Sequence, residues 1–200
     1  MQWVLSTNVR GVCGFTSALY AFYENNPTLR DELANAAKTS TRVIAEIKSF
    51  LVQLQADGDS TMLEAIETFT QSFEGYSGFT ISDYIKRINA VAAKGSRDAE
   101  DDFSIALPPD AVVAYLRYIG LSNARILPSN TTLSSKNELV LCLSDPTGKL
   151  KLYNGLCHYV YQKESTIYSW GRQFDSIEEA GKVIPETTGW SRCVIISPHG

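Results

Sequence analysis

The chain has 200 residues, of which 44% are hydrophobic and 20% charged, and its formal net charge is −4. This length and balance indicate one globular domain, residues 1–200, that can bury a core without disulfide support. The acidic net charge argues against nucleic acid as a partner, and no apolar run approaches the roughly 20 residues of a membrane span. The N-terminal residues do not have the pattern of a signal peptide.

The first part of the chain has the apolar spacing of helices. A helix is predicted to begin near Cys13, run through Tyr23 and end before Asn25-Asn26-Pro27. Further helices are predicted after Thr28, after Ser40 or Thr41, around 62–73 and after Thr80, where Asp83 completes a capping box. The polar stretch 93–102 is predicted to be a loop, and Pro108-Pro109 is predicted to open a helix over 111–119.

After Gly120 the pattern changes to that of strands. Turn residues at 145–148 and 154–155 separate apolar runs with strand composition, and a short helix is predicted from Asp175. The chain is therefore expected to have an α+β fold, with a helical lobe over about 1–120 and an antiparallel sheet lobe over about 121–200. The predicted strands are 123–127, 138–143, 149–153, 158–162, 165–170 and 192–197.

Cys13 is the candidate nucleophile. It lies between Gly11 and Gly14 at the predicted start of a helix, where the helix dipole and unpaired backbone N–H groups favour a thiolate. The neighbouring glycines allow a substrate to approach the backbone closely. Thiol catalysis also needs oxyanion donors; the backbone N–H of Cys13 and the side-chain amide of Asn8 are the candidates, with Thr7 in the same region.

His158 is the candidate base. The chain has two histidines, and His199 lies in a C-terminal Pro-His-Gly where fraying is expected. An imidazole that accepts a proton from a thiol also needs a partner to orient it. Ser169, on the strand predicted to pair with His158, is the first candidate, and Asp175 and Asn154 are alternatives; a dyad without a third residue also remains open.

The other three cysteines are interpreted as structural. Cys142 and Cys193 lie in predicted strands and are expected to be small buried apolar residues. Cys157 precedes His158, and because neighbouring strand residues point to opposite faces, Cys157 should face away if His158 faces the site. The spacing of the cysteines includes no CxxC pair, so we expect no zinc site and no other cofactor.

Cys13-Gly14 at the start of an apolar helix, His158 at the start of a hairpin and Ser169-Trp170-Gly171 on the next strand resemble the papain-like cysteine peptidase superfamily. The Ser-Trp-Gly sequence is similar to the Asn-Ser-Trp-Gly of papain, although Tyr168 stands in place of the asparagine. The Cys-Gly pair resembles bacteriocin-processing peptidase domains and the papain-like toxin domains of bacterial secretion systems. The resemblance implies a papain-like fold, with Trp170 shielding the bond between the histidine and its partner.

The resemblance further implies a cysteine protease that acts as an interbacterial effector. Such a toxin would be delivered without a classical signal peptide, for example by a type VI secretion system. It would cleave a protein substrate in the cytoplasm of a target cell, and a cognate immunity protein would be its partner. A glutamine deamidase or transglutaminase would form the same thioester. A peptidoglycan amidase and an inactive adaptor with this fold are further alternatives.

Overall fold

The structure is a computed structural model that describes residues 11–32, 36–93, 103–133, 137–145, 147–169, 171–184 and 189–200. Asn8, Thr7, Trp170 and most of the predicted 93–102 loop lie outside these residues. In chain order the helices are α1 Cys13–Glu24, α2 Pro27–Glu32, α3 Ala36–Ala56, α4 Ser60–Gln71, α5 Ile81–Ala93, α6 Pro109–Tyr118 and α7 Ile177–Val183. The strands are β1 Arg125–Ile126, β2 Glu138–Ser144, β3 Leu156–Lys163, β4 Thr166–Ser169, β5 Arg172–Phe174 and β6 Ser191–Ser197.

The strands form one antiparallel sheet in the order β1-β6-β2-β3-β4-β5. Helices α1 to α6 precede the sheet in the chain, so the predicted α+β organisation is confirmed for the described residues. The predicted strand at 149–153 is wrong. Leu152–Gly155 instead form a short turn, in which Tyr153 and Asn154 adopt left-handed backbone angles, with φ of 49° and 58°, that a strand does not allow.

Several predicted helix ends have the expected chemistry. The Asp83 backbone N–H donates to the Thr80 hydroxyl at 3.2 Å before α5, and the Glu179 N–H donates to the Ser176 hydroxyl at 3.1 Å before α7. Each hydroxyl therefore pairs an N–H group that the helix itself leaves without a partner. The predicted cap at Thr28 is wrong, because α2 begins at Pro27, before that residue. Proline is tolerated in the first turn of a helix, where its missing N–H has no helical partner to lose.

The two faces of the sheet bury different clusters. The face that packs against α1, which we call the helical face, contributes Val140, Cys142, Tyr159 and Tyr161 to a core that also contains residues of α1, α3, α4 and α6. The opposite face, which we call the outer face, contributes Leu139, Leu141, Leu143, Val160, Ile167 and Phe174 to a smaller core with Ala180 of α7. Strand alternation explains this division, and it decides which side chains can reach the start of α1.

Candidate functional site at the start of helix α1

Cys13 is the first residue of α1, as predicted. The chain enters the helix through Gly11, which has φ of +67°, and a Cβ at this residue would lie 2.8 Å from the Cβ of Ser104. Glycine is thus required both by its backbone angle and by the close approach of a second segment. Gly14 has similar contacts, since a Cβ there would lie 3.2 Å from Leu107. The two glycines let the helix start pack directly against the segment before α6.

The Cys13 thiol lies on the wall of a partly open cavity of about 140 Å³. Four aromatic side chains and several aliphatic ones form most of the wall, and Thr70 and Ser104 add polar side chains. Cys157 from β3 lines the same cavity. The main apolar lining residues are Phe69, Phe73, Tyr76, Ile105, Leu107 and Tyr159.

Burial raises the pKa of the Cys13 thiol to about 11. Backbone hydrogen bonds from Tyr159 and Gly14 to the sulfur lower the pKa, but they offset only part of the desolvation. The sequence-based expectation of a thiolate at this helix start is therefore wrong for this arrangement. The helix N-terminus favours a negative charge, but here the apolar wall has the larger effect.

A β-bulge in β3 sets the orientation of the residues beside Cys13. Leu143 of β2 pairs with His158, and Ser144 pairs with Leu156, so that Cys157 is the extra residue between them. Leu156 and Cys157 both line the cavity on the helical face. The Cys157 thiol donates to the Leu143 carbonyl at 3.4 Å, so it supplies a hydrogen-bond donor where the ladder is interrupted.

His158 lies in β3 immediately after the bulge and has the orientation of Val160, which is part of the outer-face core. Its Nε2 atom is 2.7 Å from the Ser169 hydroxyl, and its ring lies 5.8 Å from the ring of Trp190. Burial lowers the pKa of His158 to about 3, so the imidazole is neutral at physiological pH.

The structure does not bring Cys13 and His158 together. The thiol is on the helical face, whereas the imidazole is on the outer face. Cys157 and His158 point to opposite faces of the sheet, as expected. Cys157 faces the Cys13 thiol and His158 faces away from it, which is the reverse of the predicted arrangement. The physical reason is the register of β3, in which His158 pairs with the outer-face residue Leu143 and the extra residue of the bulge is Cys157; no sequence pattern in this segment indicates either.

The structure also shows where the candidate partners of His158 lie. Ser169 is within hydrogen-bond distance of His158, as expected from the pairing of β3 with β4. Asp175 is exposed, and its backbone N–H donates to the Glu179 carboxylate at the start of α7. The Nε2 atom of His199 lies 2.8 Å from a Glu138 carboxylate oxygen at an exposed position.

The prediction of a small buried apolar residue is confirmed for Cys142, whereas Cys193 is only partly buried. Cys142 is fully buried, and Cys193 is the extra residue of a second bulge, where Cys142 pairs with Val194 and Leu143 pairs with Arg192. The Cys193 thiol donates to the Cys142 carbonyl at 3.4 Å. The position of Cys157 on the cavity wall was not predicted. The turn at Asn154-Gly155, which reverses the chain just before Cys157, is the one local signal of irregular backbone.

The described residues contain no group of three or more histidine, cysteine, aspartate or glutamate side chains placed to hold a metal ion. None of the helices in the described ranges is long and apolar enough to cross a membrane. Comparison with known proteins gives no match to a family model, to a curated protein or to a solved structure.

Proposed function

We propose that the chain is a cysteine hydrolase of the papain-like class in which Cys13 is the nucleophile. The observation that carries this proposal is the position of the thiol, which lines a cavity at a helix N-terminus and accepts a hydrogen bond from the backbone N–H of Tyr159, the residue next to His158. The imidazole itself is already paired with Ser169. The backbone that carries the base is therefore adjacent to the nucleophile.

The described arrangement corresponds to a resting state under this proposal. Its thiol is protonated, and its imidazole is on the other face of the sheet. A shift of the bulge by one residue, from Cys157 to His158, would turn the imidazole to the helical face, because a one-residue change of register exchanges the faces. We propose that binding of a substrate in the cavity, or of a partner beside it, favours the shifted arrangement.

In the active arrangement His158 would accept the proton of Cys13 while the sulfur attacks an amide carbonyl. The carbonyl π electrons move to the oxygen, and the backbone N–H of Cys13 is the described candidate donor to that oxyanion. Collapse expels the amine, which takes the proton from His158, and leaves a thioester for water to hydrolyse. A protease and a glutamine deamidase share these steps and differ only in the amide bond that is broken.

The resemblance to papain-like toxin domains leads us to propose a protein substrate in the cytoplasm of a recipient cell, delivery without a classical signal peptide and inhibition by a cognate immunity protein. The test is expression in a sensitive bacterium of the wild-type chain and of the variants Cys13→Ala and His158→Ala. Both variants should lose toxicity. Cys193→Ala, which changes the other bulge, is the matched control and should keep it.

Mass spectrometry of target-cell proteins identifies the reaction. Chain breaks that depend on Cys13 indicate a protease, whereas a gain of about 1 Da on glutamine indicates deamidation. Digestion of purified sacculi tests the amidase alternative. Full toxicity of Cys13→Ala in cells that contain the soluble variant would contradict the proposal.

A binding protein with an inactive papain-like fold is the second candidate, and one observation favours it. Among the described lining residues of the cavity, none is a histidine, aspartate or glutamate that could act as a base at neutral pH. Mass spectrometry of target-cell proteins separates the candidates, because chain breaks or deamidation that depend on Cys13 support the hydrolase and their absence supports the binding protein. The alkylation rate of Cys13 does not separate them, since the resting arrangement has the same buried thiol, with a pKa of about 11, in both.

A further inference from the structure

Two cysteines that are far apart in the sequence lie on the wall of one cavity. Cys13 begins α1, and Cys157 is the bulged residue of β3. We propose that these two thiols form a reversible intramolecular disulfide when the protein is exposed to a low-molecular-weight disulfide such as oxidised glutathione.

The local backbone explains why this pair is favoured. A residue in regular alternation before His158 would face the same side as Tyr159, but the bulge also turns Leu156 to the helical face, so that residues 156 and 157 both reach the cavity. Cys13 is held beside Tyr159 by the backbone hydrogen bond to its sulfur. Both cysteines are partly exposed residues that line a partly open cavity, which gives a small oxidant a route towards them.

The other two cysteines have less suitable positions. Cys142 is fully buried in β2, where an oxidant has no access. Cys193 lies in β6, on the other side of β2 from Cys157, and does not line the cavity. The pair that shares the cavity is thus Cys13 with Cys157.

The proposed exchange proceeds in two balanced steps. The small ionised fraction of one cysteine, small because burial raises the pKa of both thiols, attacks a sulfur of oxidised glutathione and forms a mixed disulfide, and one glutathione thiolate leaves and takes up a proton. The second cysteine, as its thiolate, then attacks the sulfur of the first and expels the other glutathione. Two protein thiols are oxidised to one disulfide, and one oxidised glutathione is reduced to two molecules of the thiol.

The disulfide has a consequence for the site that rests on the proposed hydrolase function. It would occupy the sulfur of the nucleophile and also fix Cys157 on the helical face, so that the bulge could not move to His158. Oxidation would therefore hold the site in the resting arrangement by two separate effects. Reduction of the bond would restore both the thiol and the freedom of β3.

The test is incubation of the purified chain with oxidised glutathione, followed by alkylation of remaining thiols, tryptic digestion without reduction and mass spectrometry. The four cysteines fall on four different tryptic peptides, 11–30, 137–149, 152–163 and 193–200. The expected result is an intact mass about 2 Da below that of the reduced chain, measured before alkylation, and after digestion a crosslink between peptides 11–30 and 152–163.

Four variants complete the experiment. Cys142→Ser and Cys193→Ser should keep the crosslink, whereas Cys13→Ser and Cys157→Ser should lose it and carry glutathione on the remaining cysteine. A crosslink between other peptides, or glutathione retained on both Cys13 and Cys157 in the wild-type chain, would overturn the inference. Because the readout is a mass and not an activity, the result stands whether or not the chain is a hydrolase.

Discussion

Lowering the pH from 7 to 5 should destabilise this protein by about 2 kcal/mol through His158 alone. The pKa of the buried imidazole is lowered to about 3, from an ordinary value of 6.5. Above pH 6.5 the imidazole is neutral in both the folded and the unfolded chain, so it does not make the free energy of unfolding depend on pH. Below pH 6.5 the unfolded chain binds a proton that the folded chain does not, and each pH unit then costs about 1.4 kcal/mol.

Urea unfolding at a series of pH values measures this effect as the change in the free energy of unfolding. His158→Gln has no titrating group at this position and should lose less stability between pH 7 and 5, by the same 2 kcal/mol or so. His199→Gln is the matched control, because it removes the exposed histidine and should retain the loss.

If His158→Gln does not fold, NMR of the native chain tests the same prediction. The NMR signals of the His158 ring should stay constant between pH 8 and 5 in the native chain. A ring that titrates near pH 6.5 would refute the burial of the imidazole on the outer face, and so would a stability that does not change between pH 7 and 5 in the wild-type chain.

Three further predictions concern stability and are measured by urea unfolding at pH 7. Ser169→Ala should cost about 1–3 kcal/mol because it leaves a buried imidazole without its 2.7 Å partner, whereas Ser165→Ala, in the exposed turn of the same hairpin, should stay within about 0.5 kcal/mol. Tyr159→Phe should cost about 1–3 kcal/mol, since its hydroxyl donates to a buried carbonyl at 2.7 Å; an unchanged stability would mean that water replaces this bond. Glu138→Gln should cost about 1–2 kcal/mol, because the carboxylate accepts from several donors, and Lys86→Ala, which breaks an exposed pair, should show almost no effect.

The helical part of the fold could be predicted because its signals are local. Apolar spacing and the capping residues Thr80 and Ser176 depend only on neighbours within one or two turns, and they define helix starts that the structure reproduces. The hairpin of β3 and β4 could likewise be predicted from the sequence. The contact between the His158 imidazole and the Ser169 hydroxyl follows from it. Both depend on short-range pattern and turn chemistry.

The assembly of the site could not be predicted in the same way. Whether Cys157 or His158 faces Cys13 depends on the bulge opposite Leu143, and a bulge adds one residue without a characteristic composition. The failed strand at 149–153 has a similar origin, since left-handed angles at Tyr153 turn the chain before β3 begins. Tertiary packing also decides the protonation of the thiol, because the cavity wall comes from segments distant in the chain.

The two bulges meet at the same end of the central strand, and this gives the sheet unequal stiffness along its length. From Leu139 to Leu141, β2 is paired regularly with β3. Beyond Cys142, successive bulges interrupt the pairing of β2 with both neighbours, and the carbonyls of Cys142 and Leu143 accept hydrogen bonds from thiols, which are weaker donors than amides. Local opening should therefore begin at the Ser144 end of β2, beside the cavity. The regularly paired part of the strand, from Leu139 to Leu141, can stay closed while this end opens.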